Sequence, residues 1–154
     1  MKIRIAAALG AGALAALAAP APANADALTQ IQLRQSGVLA AGYDSQSCDQ
    51  IPGGQPLTNR DGWVFVLPGN KGEFVSLDLV YQRPNGSLRY VHVSNPADAY
   101  PDGILAGPGT SKAYVVTPEG WTLVSGTAMI TGSTPRDLFN LTHVCPSTGG
   151  YPSY

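Results

Sequence analysis

The chain has 154 residues, and its nine lysines and arginines against ten aspartates and glutamates give a net charge of −1. Loss of the first 25 residues would remove Lys2 and Arg4 but no acid, which leaves seven basic and ten acidic residues. This weak negative charge, without any basic cluster, argues against a nucleic acid or an anionic membrane as the partner. The remaining length suits one domain with a single core.

The first 25 residues read as an export signal. A basic start precedes an apolar stretch at residues 5–19, and residues 23–25 have the small-x-small pattern that a signal peptidase recognises. The stretch is short and is followed by Pro20 and Pro22, which argues against a transmembrane anchor. We therefore predict a signal peptide at residues 1–25, secretion of the mature chain, and no membrane insertion after cleavage.

The two cysteines, Cys48 and Cys145, are 97 positions apart, and an exported chain with two thiols most simply pairs them in a disulfide. A metal or redox site is the less favoured alternative, because no CxxC motif is present. In the chain-entropy model, closing a loop of roughly 100 residues stabilises the fold by roughly 4 to 5 kcal/mol. The pair would delimit a domain at residues 48–146, with residues 26–47 as an N-terminal extension or edge strand and residues 147–154 as a flexible tail.

Short runs of β-branched and aromatic residues alternate with glycine and proline turns in the rest of the chain. The predicted strands cover residues 62–67, 73–82, 88–93, 112–117, 121–131 and 138–144, with a further strand around Ile31 and Leu33. Asn85 and Gly86 predict a tight hairpin, and residues 95–109 predict a long surface excursion. Because no helices are available for parallel crossovers, this order predicts an all-β fold, an antiparallel β-sandwich of the immunoglobulin-like kind with one disulfide.

Alternation within three of these strands assigns side chains to faces. In residues 73–82 the apolar face comprises Val75, Leu77, Leu79 and Tyr81. In residues 121–131 the residues divide between two partly covered faces, with Trp121, Leu123, Thr127 and Met129 on one and Val124, Ala128 and Ile130 on the other. In the last strand the shared face comprises Phe139, Leu141, His143 and Cys145.

Three phrases carry a resemblance to a known group of proteins. They are GWVFVLPG at residues 62–69, KAYVVTPEGW at residues 112–121 and FNLTHVCP at residues 139–146. Together with Cys48 they resemble a largely uncharacterised domain of secreted and surface proteins of actinobacteria. The resemblance implies an extracellular, β-rich domain of Gram-positive origin and assigns no catalytic residues. Because the chain ends soon after Cys145, we expect a released protein or one loosely associated with the envelope.

The sequence has no recognisable catalytic constellation. His92 and His143 are its two histidines, and no Gly-x-Ser-x-Gly motif accompanies them. We expect His143 at the edge of the core, and Asp61 and Asp102 as solvated acids of turns and loops. The sequence thus predicts no catalytic residue, no metal site and no cofactor. A secreted hydrolase that uses His92 or His143 stays open as an alternative.

Aromatic residues are the better candidates for a binding role. The set comprises Trp63, Tyr81, Tyr90, Tyr100, Tyr114 and Trp121. The candidate ligand contacts are Tyr100, Tyr114, Trp63 and Trp121, although both tryptophans fit better in the core beneath the disulfide. The leading hypothesis is a secreted, non-enzymatic binding or structural module. A carbohydrate-binding module is the alternative, with a cell-wall or environmental glycan, or another surface protein, as the partner.

Overall fold

The computed structural model describes residues 27–69, 71–94, 101–105 and 111–149. The strands in these ranges are β1 (Thr29–Leu33), β2 (Val38–Leu39), β3 (Arg60–Val66), β4 (Gly72–Gln82), β5 (Leu88–Ser94), β6 (Asp102–Ile104), β7 (Lys112–Pro118), β8 (Thr122–Gly132) and β9 (Leu138–Cys145). Two single-turn 3-10 helices, Ala40–Gly42 and Pro135–Asp137, complete them, and no α-helix occurs in these ranges. The predicted signal peptide, Tyr100 and residues 150–154 of the tail lie outside the described residues.

The strands form one sheet in the order β5-β4-β8-β1-β9-β3-β7-β6, with β2 paired to β8. The sheet curls until its two terminal strands, β5 and β6, lie against each other. The all-β prediction is therefore confirmed, whereas the architecture is nearly barrel-like rather than clearly a two-layered sandwich. Strong curvature of this kind follows from the twist of antiparallel strands and from bulges, of which this sheet has several.

Strand β1 lies inside the sheet, between β8 and β9. Its pairing with β9 is parallel, with Gln32 opposite Leu138 and Leu33 opposite Phe139. The expectation of a purely antiparallel sheet fails here because the whole domain connects these two strands, so no helical crossover is needed. Ile31 is fully buried, and residues 26–47 therefore contribute an integral strand instead of an extension or edge strand.

The face assignment of β4 changes at a bulge. The register shifts between Phe74 and Ser76, so that Val75 is an extra residue on this strand. Phe74 consequently enters the core, and Val75 turns outward and is 39% exposed. Leu77, Leu79 and Tyr81 face inward as predicted, and the hairpin to β5 follows at Gly86, where φ is +83°.

Bulges also correct the assignments of β8 and β9. In β8 the extra residue is Val124, which brings Leu123, Ala128 and Ile130 onto one inner face. In β9 the extra residue is Thr142, so that Val144 replaces His143 on the inner face beside Phe139 and Leu141. A single inserted residue reverses the alternation beyond it, because side chains on a strand have a period of two.

The interior is filled by aromatic side chains. Trp63, Tyr81 and Trp121 pack in a row, with ring centroids 5.3 Å and 6.0 Å apart. The indole Nε1–H of Trp63 donates a hydrogen bond of 3.0 Å to Thr117 Oγ1. Both tryptophans therefore belong to the core, but to the main core inside the sheet and not to the cluster around the disulfide.

The disulfide between Cys48 and Cys145 is present, as predicted, with 4.8 Å between the two Cα atoms. It lies in a smaller cluster on the outer side of β3, β7 and β9, together with Ile51, Val64 and Val116. The bond thus fastens the loop before β3 to the outer surface of the sheet. A disulfide is typical of oxidising, extracellular surroundings.

Two acids expected in solvent are fully buried. Asp61 accepts hydrogen bonds of 2.9 Å from the backbone N–H groups of Gly120 and Ser147, and so ties the β7–β8 turn to the residues after β9. Asp102 begins β6 and faces the interior near Tyr81. The expectation was wrong because it relied on the neighbouring turn residues in the sequence. In the sheet Asp61 belongs to β3 and Asp102 to β6, and both strands pair with β7.

Candidate functional site

The two halves of the curled sheet differ in what covers their outer surface. Over β3, β7 and β9 lies the disulfide-linked loop, with Ile51 buried against Val64 and Val116. Over β4, β5 and β8 the outward side chains are exposed or half-buried. We call this second surface the Tyr90 face and define it by Gln32, Asp78, Val80, Tyr90, His92 and Thr127.

Tyr90 is the most exposed large hydrophobic residue of the described chain, at 76%. It lies on β5 between residues whose alternation fixes its direction, because Val91 and Val93 are buried on the inner side. Its cross-strand partner is the half-buried Val80. The tyrosine side chain therefore points outward beside Val80 and is largely open to solvent.

A row of polar side chains runs beside Tyr90 across four strands. His92 lies opposite Asp78, Asp78 opposite Thr127, and Thr127 opposite Gln32. Directly opposed residues point to the same face, and neighbouring strands are about 4.8 Å apart, so the row is about 14 Å long. It presents hydroxyl, carboxylate, imidazole and amide groups to solvent next to an aromatic ring.

The first pair of this row is hydrogen-bonded. His92 Nδ1 and Asp78 Oδ1 are 2.7 Å apart, and the two side chains are 54% and 60% exposed. A carboxylate can only accept a hydrogen bond, so Nδ1 carries the hydrogen. The ring is thereby oriented with Nε2 available to a ligand, since that atom has no partner in the part of the chain that the structure describes.

The residues chosen from the sequence as ligand contacts are placed differently. Trp63 is fully buried and Trp121 is 6% exposed, so neither indole offers a stacking surface. Tyr114 is half-buried on β7, where its ring lies 3.2 Å from the position that a Cβ of Gly103 would occupy. Tyr100 lies outside the described residues. The exposed aromatic residue is Tyr90, which is not among the four predicted ligand contacts.

The histidines are not brought together. His143 is half-buried on β9 opposite Val64, and His92 lies on the exposed surface of β5. Over the described ranges, no group of three or more His, Cys, Asp or Glu side chains could hold a metal ion. No helix in those same ranges is long and apolar enough to cross a membrane.

Comparison with known proteins adds no assignment. Set against protein-family models, curated proteins and solved structures, the chain matches none of them.

Proposed function

We propose that this chain is a secreted, non-enzymatic binding module that binds carbohydrate through the Tyr90 face. The observation that carries the proposal is the 76% exposure of the Tyr90 ring beside a row of polar side chains. Sugar rings offer an apolar C–H surface bordered by hydroxyls, and a flat aromatic ring with adjacent donors and acceptors is complementary to both.

A glycan suits this face better than a protein partner does. The buried centre of a protein interface is depleted of charged residues and enriched in aromatic and other apolar ones. The Tyr90 face has one exposed aromatic ring, a charged Asp78 and a row of hydrogen-bonding groups. The polar row can exchange its water for sugar hydroxyls without leaving buried charges unpaired.

Secretion is part of the proposal. The export signal predicted at residues 1–25 and the Cys48–Cys145 bond both support an extracellular location. The resemblance to actinobacterial surface domains supports a glycan of the producer's own envelope or of its surroundings as the ligand. Release from the cell or loose association with the envelope fits either source.

The proposal that the chain is not an enzyme is supported by the surroundings of the Asp78–His92 pair. In a hydrolytic triad the second imidazole nitrogen activates a serine hydroxyl. No such hydroxyl is hydrogen-bonded to His92 within the described part of the chain. The pair lies on an open sheet surface, where water would not be excluded from a reacting centre.

The test is retention on insoluble cellulose, chitin and peptidoglycan, measured as depletion isotherms. We expect saturable retention on at least one polysaccharide and about tenfold weaker binding for Tyr90→Ala, the ratio expected for about 1.4 kcal/mol of lost stacking. Tyr90→Phe keeps the ring and should bind nearly as tightly as the unmodified chain. Leu28→Ala is the control, because Leu28 is an exposed apolar residue outside the Tyr90 face.

Two results would count against carbohydrate binding. One is no retention on any of the polysaccharides, and the other is equal retention of the Tyr90→Ala variant and the unmodified chain. The hydrolase alternative is checked in the same samples by assaying released reducing sugar. Sugar release that is lost in His92→Ala or His143→Ala would favour the enzyme instead.

A further inference from the structure

A recess lies on the surface near the end of β1 and the start of β9. Its volume is about 260 Å³, and it is lined by Arg34, Pro68, Pro135, Arg136, Leu138 and Asn140. The parallel pairing of β1 with β9 brings the two arginines together, because Leu33 lies opposite Phe139. This recess is separate from the Tyr90 face and shares none of its residues.

Neither arginine of the recess has an ion-pair partner among the residues that the structure describes. The ion pair found in the described part of the chain joins Asp78 to His92, and it involves neither Arg34 nor Arg136. The chain as a whole has a net charge of −1, so two guanidinium groups in one recess, without an acidic partner in the described ranges, are a local concentration of positive charge. A guanidinium presents a planar set of donors that matches the oxygens of a carboxylate or a phosphate.

The backbone at Arg136 adds a second observation. Arg136 has φ +62° and Asp137 has φ +52°, both in the left-handed region that favours glycine. Arg136 is exposed, and no hydrogen bond of its side chain is found among the described residues. The fold thus keeps a non-glycine residue in a costly backbone conformation at this turn, and strain of this kind concentrates at functional positions.

The surface continues beyond Pro135 into a second recess of about 280 Å³, lined by Gly69, Lys71, Ser133, Thr134 and Pro135. Thr134 is 8% exposed, and its hydroxyl has no hydrogen-bond partner in the described ranges. Lys71 supplies a third cationic group near the same turn. Asp137 belongs to this turn but lines neither recess.

From these observations we infer that the recess between Arg34 and Arg136 binds a compact oxyanion, a carboxylate or phosphate group carried on a sugar-sized or smaller molecule. The two guanidinium groups hold the oxygens, and the Asn140 side-chain amide offers a further donor. The carrier packs on Pro68, Pro135 and Leu138. A volume of about 260 Å³ suits one such group with its small carrier.

The test is a titration of the folded chain at constant ionic strength, followed by NMR shifts or by melting temperature. Galacturonate is compared with neutral galactose, and glycerol 3-phosphate with neutral glycerol. We expect saturable binding of at least one anion and none of its neutral partner. A response to galacturonate alone identifies a carboxylate ligand, and a response to glycerol 3-phosphate alone identifies a phosphate ligand. Added NaCl should weaken either response, since the arginines are exposed.

Substitutions decide whether the recess is responsible. Arg34→Ala and Arg136→Gly should each weaken binding about tenfold or more, the range expected for a lost charge-assisted hydrogen bond. Arg136→Gly should also raise the melting temperature without ligand, because glycine adopts a positive φ freely. Arg89→Ala, which removes an exposed arginine of β5, is the matched control and should bind as the unmodified chain does.

The inference is overturned if neither anion binds saturably, or if each binds no better than its neutral partner. Unchanged affinity in both Arg34→Ala and Arg136→Gly overturns it as well. The outcome is independent of the proposed function, because Tyr90→Ala should leave the anion titration unaltered.

Discussion

The side-chain amide of Gln35 makes two hydrogen bonds with the backbone of Leu141, in the manner of a neighbouring strand. Gln35 Nε2 donates to the carbonyl oxygen of Leu141 over 3.0 Å, and the N–H of Leu141 donates to Gln35 Oε1 over 3.0 Å. Along the same edge of β9, β1 pairs before this point and Gln46 pairs with Val144 after it. One side chain thus fills the gap between two backbone partners.

Replacing Gln35 by methionine should lower the free energy of unfolding by about 1 to 3 kcal/mol, because the buried N–H of Leu141 then loses its partner. Gln35→Glu keeps the acceptor for that N–H but places a carboxylate oxygen, which cannot donate, against the Leu141 carbonyl oxygen, so it should also destabilise the fold at neutral pH. The Leu141 carbonyl stays bonded to the Tyr43 hydroxyl in both variants. Urea unfolding measures the effect, and equal stability of Gln35→Met and the unmodified chain would contradict it.

Gly62 lies directly beneath Ile51 in the cluster around the disulfide. A Cβ at position 62 would lie 2.7 Å from Cγ1 and Cδ1 of Ile51 and 3.1 Å from Cβ of Cys145. We expect Gly62→Ala to destabilise the fold by about 1 to 3 kcal/mol through overpacking. The penalty should shrink when Ile51 is replaced by alanine, and a double-mutant cycle measures this coupling. Additive effects of the two changes would show that the clash is relieved elsewhere.

Removal of the disulfide should lower the stability of the fold, but the main core should stay folded. The Cys48→Ala and Cys145→Ala double variant is expected to lose about 2 to 5 kcal/mol of unfolding free energy. Because the bond lies in the outer cluster, the backbone amides of the loop around Ile51 should be the first whose hydrogen exchange becomes faster. Tryptophan fluorescence should stay native, since Trp63 and Trp121 lie in the main core. Loss of the native spectrum at neutral pH and low denaturant would refute this order.

Tyr81 makes the stability sensitive to alkaline pH. Its burial, and then the nearby charge of Asp102, raise the pKa of the phenol well above 10.0. In the unfolded chain the phenol ionises near pH 10, whereas in the folded chain it stays protonated. The stabilising contribution is therefore fully present below about pH 10 and is lost as the pH rises towards the folded pKa, by about 1.4 kcal/mol per pH unit.

The comparison with Tyr81→Phe isolates this contribution from that of the other tyrosines. The Tyr81 hydroxyl has no hydrogen-bond partner among the residues described, so the phenylalanine variant should differ by about 1 kcal/mol or less at pH 7. Above pH 10 its stability should fall less steeply than that of the unmodified chain. Urea midpoints between pH 8 and pH 11 measure both slopes, and parallel slopes would exclude Tyr81 as the cause.

Local patterns predicted the elements of this fold better than their arrangement. Alternation located the long strands, and Asn85 with Gly86 located the hairpin between β4 and β5. The bulges at Val75, Val124 and Thr142 could not be read in the same way. An extra residue becomes visible only when the opposite strand is known, because a bulge is defined by the pairing of two strands.

The same distinction between local pattern and strand arrangement applies to the candidate sites. The exposure of Tyr90 could have been predicted from the sequence, since the neighbouring Val91 and Val93 mark the inner face of β5 and place Tyr90 on the outer face. The two tryptophans are predicted as ligand contacts because their rings are large, but a large apolar side chain favours burial as much as binding. Arg34 and Arg136 are distant in sequence, and only the parallel pairing of β1 with β9 brings them together. No local sequence pattern predicts that these two arginines lie close together.

The central position of β1 affects the order in which the protein can mature. Its five residues are synthesised before any other strand of the sheet, yet β8 and β9, which flank them, are synthesised last. We expect the nascent chain to stay unfolded until nearly all of it has been synthesised, because sheets whose strands pair with distant partners fold slowly. Chains that end at residue 120 should be digested rapidly by protease, whereas chains that end at residue 149 should resist it. Such a delay would suit the secretion that we propose for this chain, because an exported chain crosses the membrane before it folds.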